Sequence, residues 1–268
     1  MSEPMQPLER LSADARQGIE VVLCDIDDTL TTDGRLLAVS YSALERLQQA
    51  GLLVLPITGR PAGWCDHMAR MWPIDGIVGE NGAFYFRYDH TAKRMIRAYW
   101  SSADQRAADR QRLAELEVRI LSEIPACAVA SDQRYREADL AIDYREDVAP
   151  LPAPQVARIV ELFEDAGAQA KVSSIHVNGW FGDYDKLSMT RRVLKEQFGL
   201  DSEEARHCAL FVGDSPNDAP MFSYFPNSVG VANVREFAGQ MAAEPAYIAR
   251  AAGALGFAEV AEALLSTR

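Results

Sequence analysis

Val21-Val22-Leu23-Cys24-Asp25-Ile26-Asp27-Asp28-Thr29-Leu30 is the stretch that decides the fold. Four apolar residues in a row suit a strand buried on both faces of a parallel sheet. The run empties directly into two aspartates spaced two apart. The pattern recurs. Leu52-Leu53-Val54-Leu55-Pro56-Ile57 leads into Thr58-Gly59-Arg60, and Ala209-Leu210-Phe211-Val212 leads into Gly213-Asp214-Ser215-Pro216-Asn217-Asp218. Shorter apolar runs stand at Ile77-Val78 and at Val229-Gly230-Val231-Ala232.

Helical spacing fills the gaps between these strands. Tyr41, Leu44 and Leu47 mark a helix over 40–50 that stops at Gly51. Pro61 suits a first helical turn, and Trp64, Met68 and Met71 continue that helix's apolar face. Leu187, Val193, Leu194 and Phe198 predict a helix from Lys186 to Phe198, with Gly199 after it. The alternation predicts an α/β fold, a Rossmann-like parallel-sheet core.

The middle of the chain reads differently. Residues 94–100 and 139–145 alternate like half-exposed strands, and 168–181 reads as a strand pair turning near Val172-Ser173-Ser174. Charged helices are expected over 104–123 and 154–166. The expected organisation is therefore a core of residues 1–85 and 181–268, with an inserted α+β domain over 86–180.

Composition narrows the function classes. The 268 residues are 48% hydrophobic and 25% charged, enough to bury a large core. The net charge of −12 argues against a nucleic-acid footprint, although a metal or local cations can still admit an anionic substrate. No stretch is long enough to span a bilayer. The polar first 18 residues read as a poorly ordered leader with no signal-peptide centre. Cys24, Cys65, Cys127 and Cys208 form no zinc pattern and read as thiols of a reducing cytoplasm.

In an open parallel sheet, function gathers at the carboxyl ends of the strands. Asp25, Asp27, Asp214 and Asp218 all fall there, and Lys186 opens a helix. One such pair of aspartates is an ordinary turn. Two acidic clusters after two buried strands, without paired histidines or cysteines, suit a hard cation with oxygen ligands, magnesium first. Thr58 and Gly59 precede a helix start, where anions bind or a threonine simply caps. Arg60 reads as a surface charge. Lys186 is a point charge for phosphate or a solvated lysine.

Taken together, Asp-x-Asp-x-Thr, Thr-Gly-Arg, a later Lys and Gly-Asp-x-x-Asn-Asp resemble the haloacid-dehalogenase-like (HAD) superfamily of phosphohydrolases. The long insertion resembles that superfamily's type-two cap. Glu80-Asn81-Gly82-Ala83 is similar to the branch holding sucrose-phosphate, trehalose-phosphate and Cof-type phosphatases. The resemblance implies a magnesium-dependent phosphatase acting on a small phosphorylated metabolite, a sugar phosphate first, through an aspartyl-phosphate. It implies Asp25 as nucleophile and Asp27 as acid and base. Magnesium would sit on the Asp25 side chain, the Asp27 carbonyl and Asp214, supported by Asp218. Thr58, Gly59, Lys186 and Asn217 would hold the phosphoryl group. Asp28 stands where the family usually has glycine. A phosphomutase of the same fold and a non-enzymatic binding protein that kept the fold are the alternatives. His176, Asn178, Trp180, Tyr144 and Arg145 are candidate readers of the substrate's remainder.

Overall fold

The computed structural model describes residues 5–173 and 175–268. Its central sheet has six parallel strands in the order Gln6–Pro7, Tyr247–Ile248, Asn227–Gly230, Ala209–Gly213, Val21–Cys24, Leu53–Pro56. The α/β core expected from the apolar runs is present. Because side chains alternate along a strand, each run feeds two cores at once. Val22, Cys24 and Val54 pack on one face with Leu44, Leu47, Phe257 and Leu264. Val21, Leu23 and Leu55 pack on the other with Met189, Val193, Leu194 and Phe222. The helix Lys186–Phe198 ends on Gly199 in the left-handed region, as its sequence predicts.

The expected leader is ordered over its described part. Gln6–Pro7 adds an edge strand, Ala13–Gln17 is helical, and Leu8 and Leu11 are buried in the core. Two buried leucines outweigh the polarity of the segment around them. Residues 1–4 of that expectation lie outside the described residues.

The middle of the chain divides differently from its sequence reading. Phe84–Asp89 and Arg94–Tyr99 form a hairpin paired antiparallel with Ile77–Gly79, which bridges to the core sheet through Ile57 and Val78. Phe84, Phe86 and Tyr99 pack into the core cluster. A separate four-stranded antiparallel sheet runs Gln169–Val172, His176–Trp180, Asp139–Asp143, Ala128–Val129. The helices Ala103–Glu123 and Ala153–Asp165 cover it through their own cluster of Leu113, Ile120, Leu140, Ile142, Phe163 and Val177. Strand alternation turns Asp139, His176 and Asn178 to the opposite face, toward the ends of the core strands.

Candidate active site

The site is built on strand ends. Val21–Cys24 delivers Asp25, and Asp25 N–H donates to Val212 O of the neighbouring strand. Ala209–Gly213 delivers Asp214. The short helical turn Pro216–Asp218 then folds Asp218 back, so that its Oδ2 accepts from the Asp214 N–H at 3.1 Å and the Ser215 N–H at 3.4 Å. An ideal Cβ on Gly213 would lie 2.4 Å from Asp218 Oδ2, so only glycine permits that return.

Lys186 is the cation of the cluster. Its Nζ donates to Asp25 Oδ1 at 3.0 Å and to Asp218 Oδ1 at 2.8 Å, and the side chain is buried. It is placed by the helix cap before it: Asp185 accepts from the Ser188 N–H at 2.7 Å. Against Asp185 rests a turn whose three residues Glu80, Asn81 and Gly82 all have positive φ. A Cβ on Gly82 would sit 2.0 Å from Asp185 O. The Glu-Asn-Gly segment is thus a backbone wedge against the helix start that holds Lys186.

Asp25, Asp214 and Asp218 bring carboxylate oxygens within 4.8 Å of one another. Thr29 Oγ1 and Asn233 Nδ2 each donate to Asp214 at 3.0 Å, and Asn233 also donates to Asp28 O at 3.0 Å. With three carboxylates against one ammonium, the cluster falls two positive charges short of neutrality. The strain shows in the titration of its members. Burial pushes Asp25 up to about 7, Lys186 opposes it, and Asp218 and Asp27 add to it. Burial, then Asp25 and Asp218, raises Asp214 as well. A divalent cation would reverse both shifts, and oxygen-only donors suit magnesium. The residues present fit such an ion. Asp218, its oxygens engaged by Lys186 and the Asp214 and Ser215 amides, fits a supporting place better than direct ligation.

Asp27 faces elsewhere. Both its oxygens lie 3.0 Å from Arg60 Nε, and Oδ1 also accepts from an Arg60 terminal nitrogen at 2.8 Å. Arg60, expected on the surface, is only 5% exposed. The same terminal nitrogen donates to Glu146 Oε1 at 2.9 Å, and the other approaches Asp132 at 3.5 Å. Glu146 and Asp132 are residues of the insertion, remote in sequence, which is why sequence spacing gave no sign of them.

A cavity of about 20 Å³ lies between insertion and core, lined by Asp25, Asp27, Gly59, Asn217, His176 and Asn178 among others. Four predicted residues thus share one small space with two of the proposed readers. Thr58 stands outside that lining, wholly buried, its hydroxyl accepting from the Arg60 N–H at 3.0 Å. Tyr144 donates to Ser173 O and Trp180 packs on Tyr184, which gives both structural work, while Arg145 lines a wider acidic cleft outside. Besides Arg60 and Glu146, sequence reasoning missed Arg136, Glu80 and Asn233. Arg136 donates to Gly59 O at 2.9 Å across the two sheets. Glu80 is wholly buried and accepts from the N–H groups of Ala62, Glu137, Ala138 and Asp139. The Glu-Asn-Gly-Ala motif was the one signal pointing toward Glu80.

A family model described as haloacid dehalogenase-like hydrolase matches residues 22–111. That span carries Asp25, Asp27 and Thr58. The chain resembles the haloacid dehalogenase-like hydrolases in sequence and in fold. Solved structures extend the likeness over the insertion and the C-terminal half. A Thermoplasma acidophilum protein superposes with a TM-score of 0.67 at 18% identity, covering 92% of this chain and 98% of its own. A haloacid dehalogenase-like hydrolase from Bacteroides thetaiotaomicron gives 0.63 at 17% identity, over 92% and 99%. The sucrose-phosphatase of Synechocystis, solved with sucrose and phosphate, gives 0.56 at 19% identity, over 92% and 97%. At these identities the likeness establishes the fold. Comparison with curated proteins finds no match. Among the described residues, no helix is long and apolar enough to cross a membrane.

Proposed function

We propose that this chain is a magnesium-dependent phosphatase that hydrolyses a small phosphate monoester through an aspartyl-phosphate on Asp25. The carrying observation is the buried cluster itself: Asp25 held 3.0 Å from Lys186, with Asp214 and Asp218 beside it, opening on a cavity at the strand ends. Asp25 attacks phosphorus, which suits a carboxylate because the resulting acyl phosphate hydrolyses in a second step. Asp27 gives its proton to the leaving oxygen and then takes one from the attacking water. Lys186 and Asn217, with the Thr58-Gly59 turn, hold the phosphoryl oxygens, since phosphoryl transfer needs positioning and charge stabilisation above all. Magnesium on Asp25, Asp214 and the Asp27 carbonyl, with Asp218 behind, would neutralise charge on the transferring oxygens.

The insertion serves as a cap. Its polar sheet face reads the part of the substrate beyond the phosphate, through His176 and Asn178 first. A sugar phosphate is favoured by the likeness in fold to a phosphatase solved with sucrose and phosphate. A cytoplasmic setting suits the buried thiols of Cys24, Cys65 and Cys127.

The test is release of inorganic phosphate from p-nitrophenyl phosphate with magnesium and with EDTA. Phosphate is expected only with magnesium, together with an acid-stable, base-labile phosphoenzyme. Equal turnover by Asp25→Ala protein would overturn the assignment. A screen of phosphorylated metabolites then selects the substrate.

A further inference from the structure

Arg60 joins the two halves of the molecule through one buried guanidinium. On the core side it grips Asp27 with Nε and one terminal nitrogen, at 2.8 to 3.0 Å. On the insertion side it meets Glu146 at 2.9 Å and Asp132 at 3.5 Å. Its guanidinium carbon lies over the Trp64 ring, 4.7 Å from the centroid. Each insertion partner has a neighbour of its own. His176 Nε2 lies 2.9 Å from Glu146 Oε2, and Arg136 Nε donates to Asp132 at 3.1 Å. Arg136 also bonds Asp139, which accepts from Asn178 Nδ2 at 2.9 Å. Asn178, which faces the cavity from the insertion, is thus wired through carboxylates and guanidinium groups to Asp27, and His176 stands beside Glu146 without a hydrogen bond to it.

We propose that Arg60 is a positioning residue for Asp27, and that it holds Asp27 in place only while Glu146 and Asp132 of the closed insertion hold Arg60. The proposal rests on the reading of Asp27 as acid and base given above. A fixed fork of donors specifies where a carboxylate lies far better than a point charge does. Among the described residues, Asp27 Oδ1 takes two Arg60 donors and Oδ2 only the shared Nε–H. Oδ2 is therefore the oxygen left freer to face the leaving group. In the transfer step an Asp25 oxygen bonds to phosphorus and the ester P–O bond breaks. Its electron pair stays on the leaving oxygen, which takes the proton from Asp27. When the insertion lifts, Glu146 and Asp132 leave with it and Arg60 loses both outer anchors. Asp27 is then released from its set position while the site is open to water. Proton delivery is thereby tied to closure over a substrate.

The test uses the full-length chain with magnesium and compares kcat/KM for p-nitrophenyl phosphate, phenyl phosphate and an alkyl phosphate. This constant reports the steps up to leaving-group departure, so hydrolysis of the phosphoenzyme does not enter. A poor leaving group needs the proton and a good one does not. Arg60→Ala is expected to lose on the order of tenfold or more extra activity on phenyl and alkyl phosphates relative to p-nitrophenyl phosphate, within the range general acids contribute. Arg60→Lys is expected to recover only part of that, because it lacks the fork. Glu146→Gln, which preserves shape and leaves Arg60 in place, is expected to show the same leaving-group dependence more weakly. A loss equal across all three esters, full recovery with lysine, or unchanged leaving-group dependence in Glu146→Gln would overturn the proposal. Asp27→Asn serves as the reference. If the wild-type chain cleaves none of the esters, or Asp27→Asn shows no leaving-group dependence, the phosphatase reading fails instead.

Discussion

Asp25 is a carboxylate that the folded chain holds at an electrostatic cost. It is buried, pushed up to about 7, and faces Asp218 and Asp27 with one lysine in compensation. Activity and stability should therefore respond in opposite directions to its loss. Asp25→Asn is expected to abolish phosphate release while raising the melting temperature of the metal-free protein at pH 8, read by thermal unfolding in EDTA. Lys186→Ala should do the reverse on stability, because it leaves two buried carboxylates unpaired. Breaking such a pair typically costs about 3–5 kcal/mol, measurable by urea unfolding. Their meeting at one place was legible because each follows a strand or opens a helix, while their roles came only from the resemblance of the whole motif set. Arg60 was not legible. What makes it more than a surface charge is Glu146, 86 residues away and in the insertion, and no local pattern carries that distance.

At the scale of elements, the turn Glu80-Asn81-Gly82 sets the start of the Lys186 helix. A side chain at Gly82 would collide with Asp185 O at 2.0 Å and would also demand a φ of +110° from an L-residue. Gly82→Ala is expected to destabilise by about 1–3 kcal/mol, in the range of overpacked sites, and to lower kcat through displacement of Lys186. Denaturant unfolding and steady-state kinetics check both parts. The helix itself was readable down to its ends, since apolar spacing, Lys186 and Gly199 all agree. The hairpin Arg94–Tyr99 was harder. A half-exposed antiparallel strand alternates in the same way whichever sheet it joins. Its partners, Phe84–Asp89 and Ile77–Gly79, decide that it lies against the core. The edge strand Gln6–Pro7 was missed for a similar reason, being two residues long and fixed only by Tyr247–Ile248.

Over the whole molecule, the acidic cluster ties stability to pH and to metal. Asp25, near 7, and Asp214, also raised well above the usual carboxylate range, keep protons in the folded metal-free chain that the unfolded chain releases near pH 4. At these two groups the folded state binds more protons over that interval, so the stability they contribute falls as pH rises from about 4 to about 7. Magnesium bound as proposed would compete for the same oxygens in their ionised form. Added magnesium is therefore expected to raise the melting temperature more at pH 8 than at pH 5.5. Thermal unfolding across a pH series, with and without the ion, checks the slope and its reversal. An Asp25→Asn protein whose metal-free stability kept the wild-type slope between pH 4 and pH 7 would contradict the cluster's shared charge deficit.

The cavity between the two sheets holds about 20 Å³, room for a single water and too little for a phosphate ester. On the proposed reading, a phosphate ester that reaches Asp25 through this gap displaces the insertion as a body against solvent drag. Turnover by that route would be geared to friction as well as to chemistry. Where that swing limits turnover, kcat should decline in step with the viscosity of added glycerol.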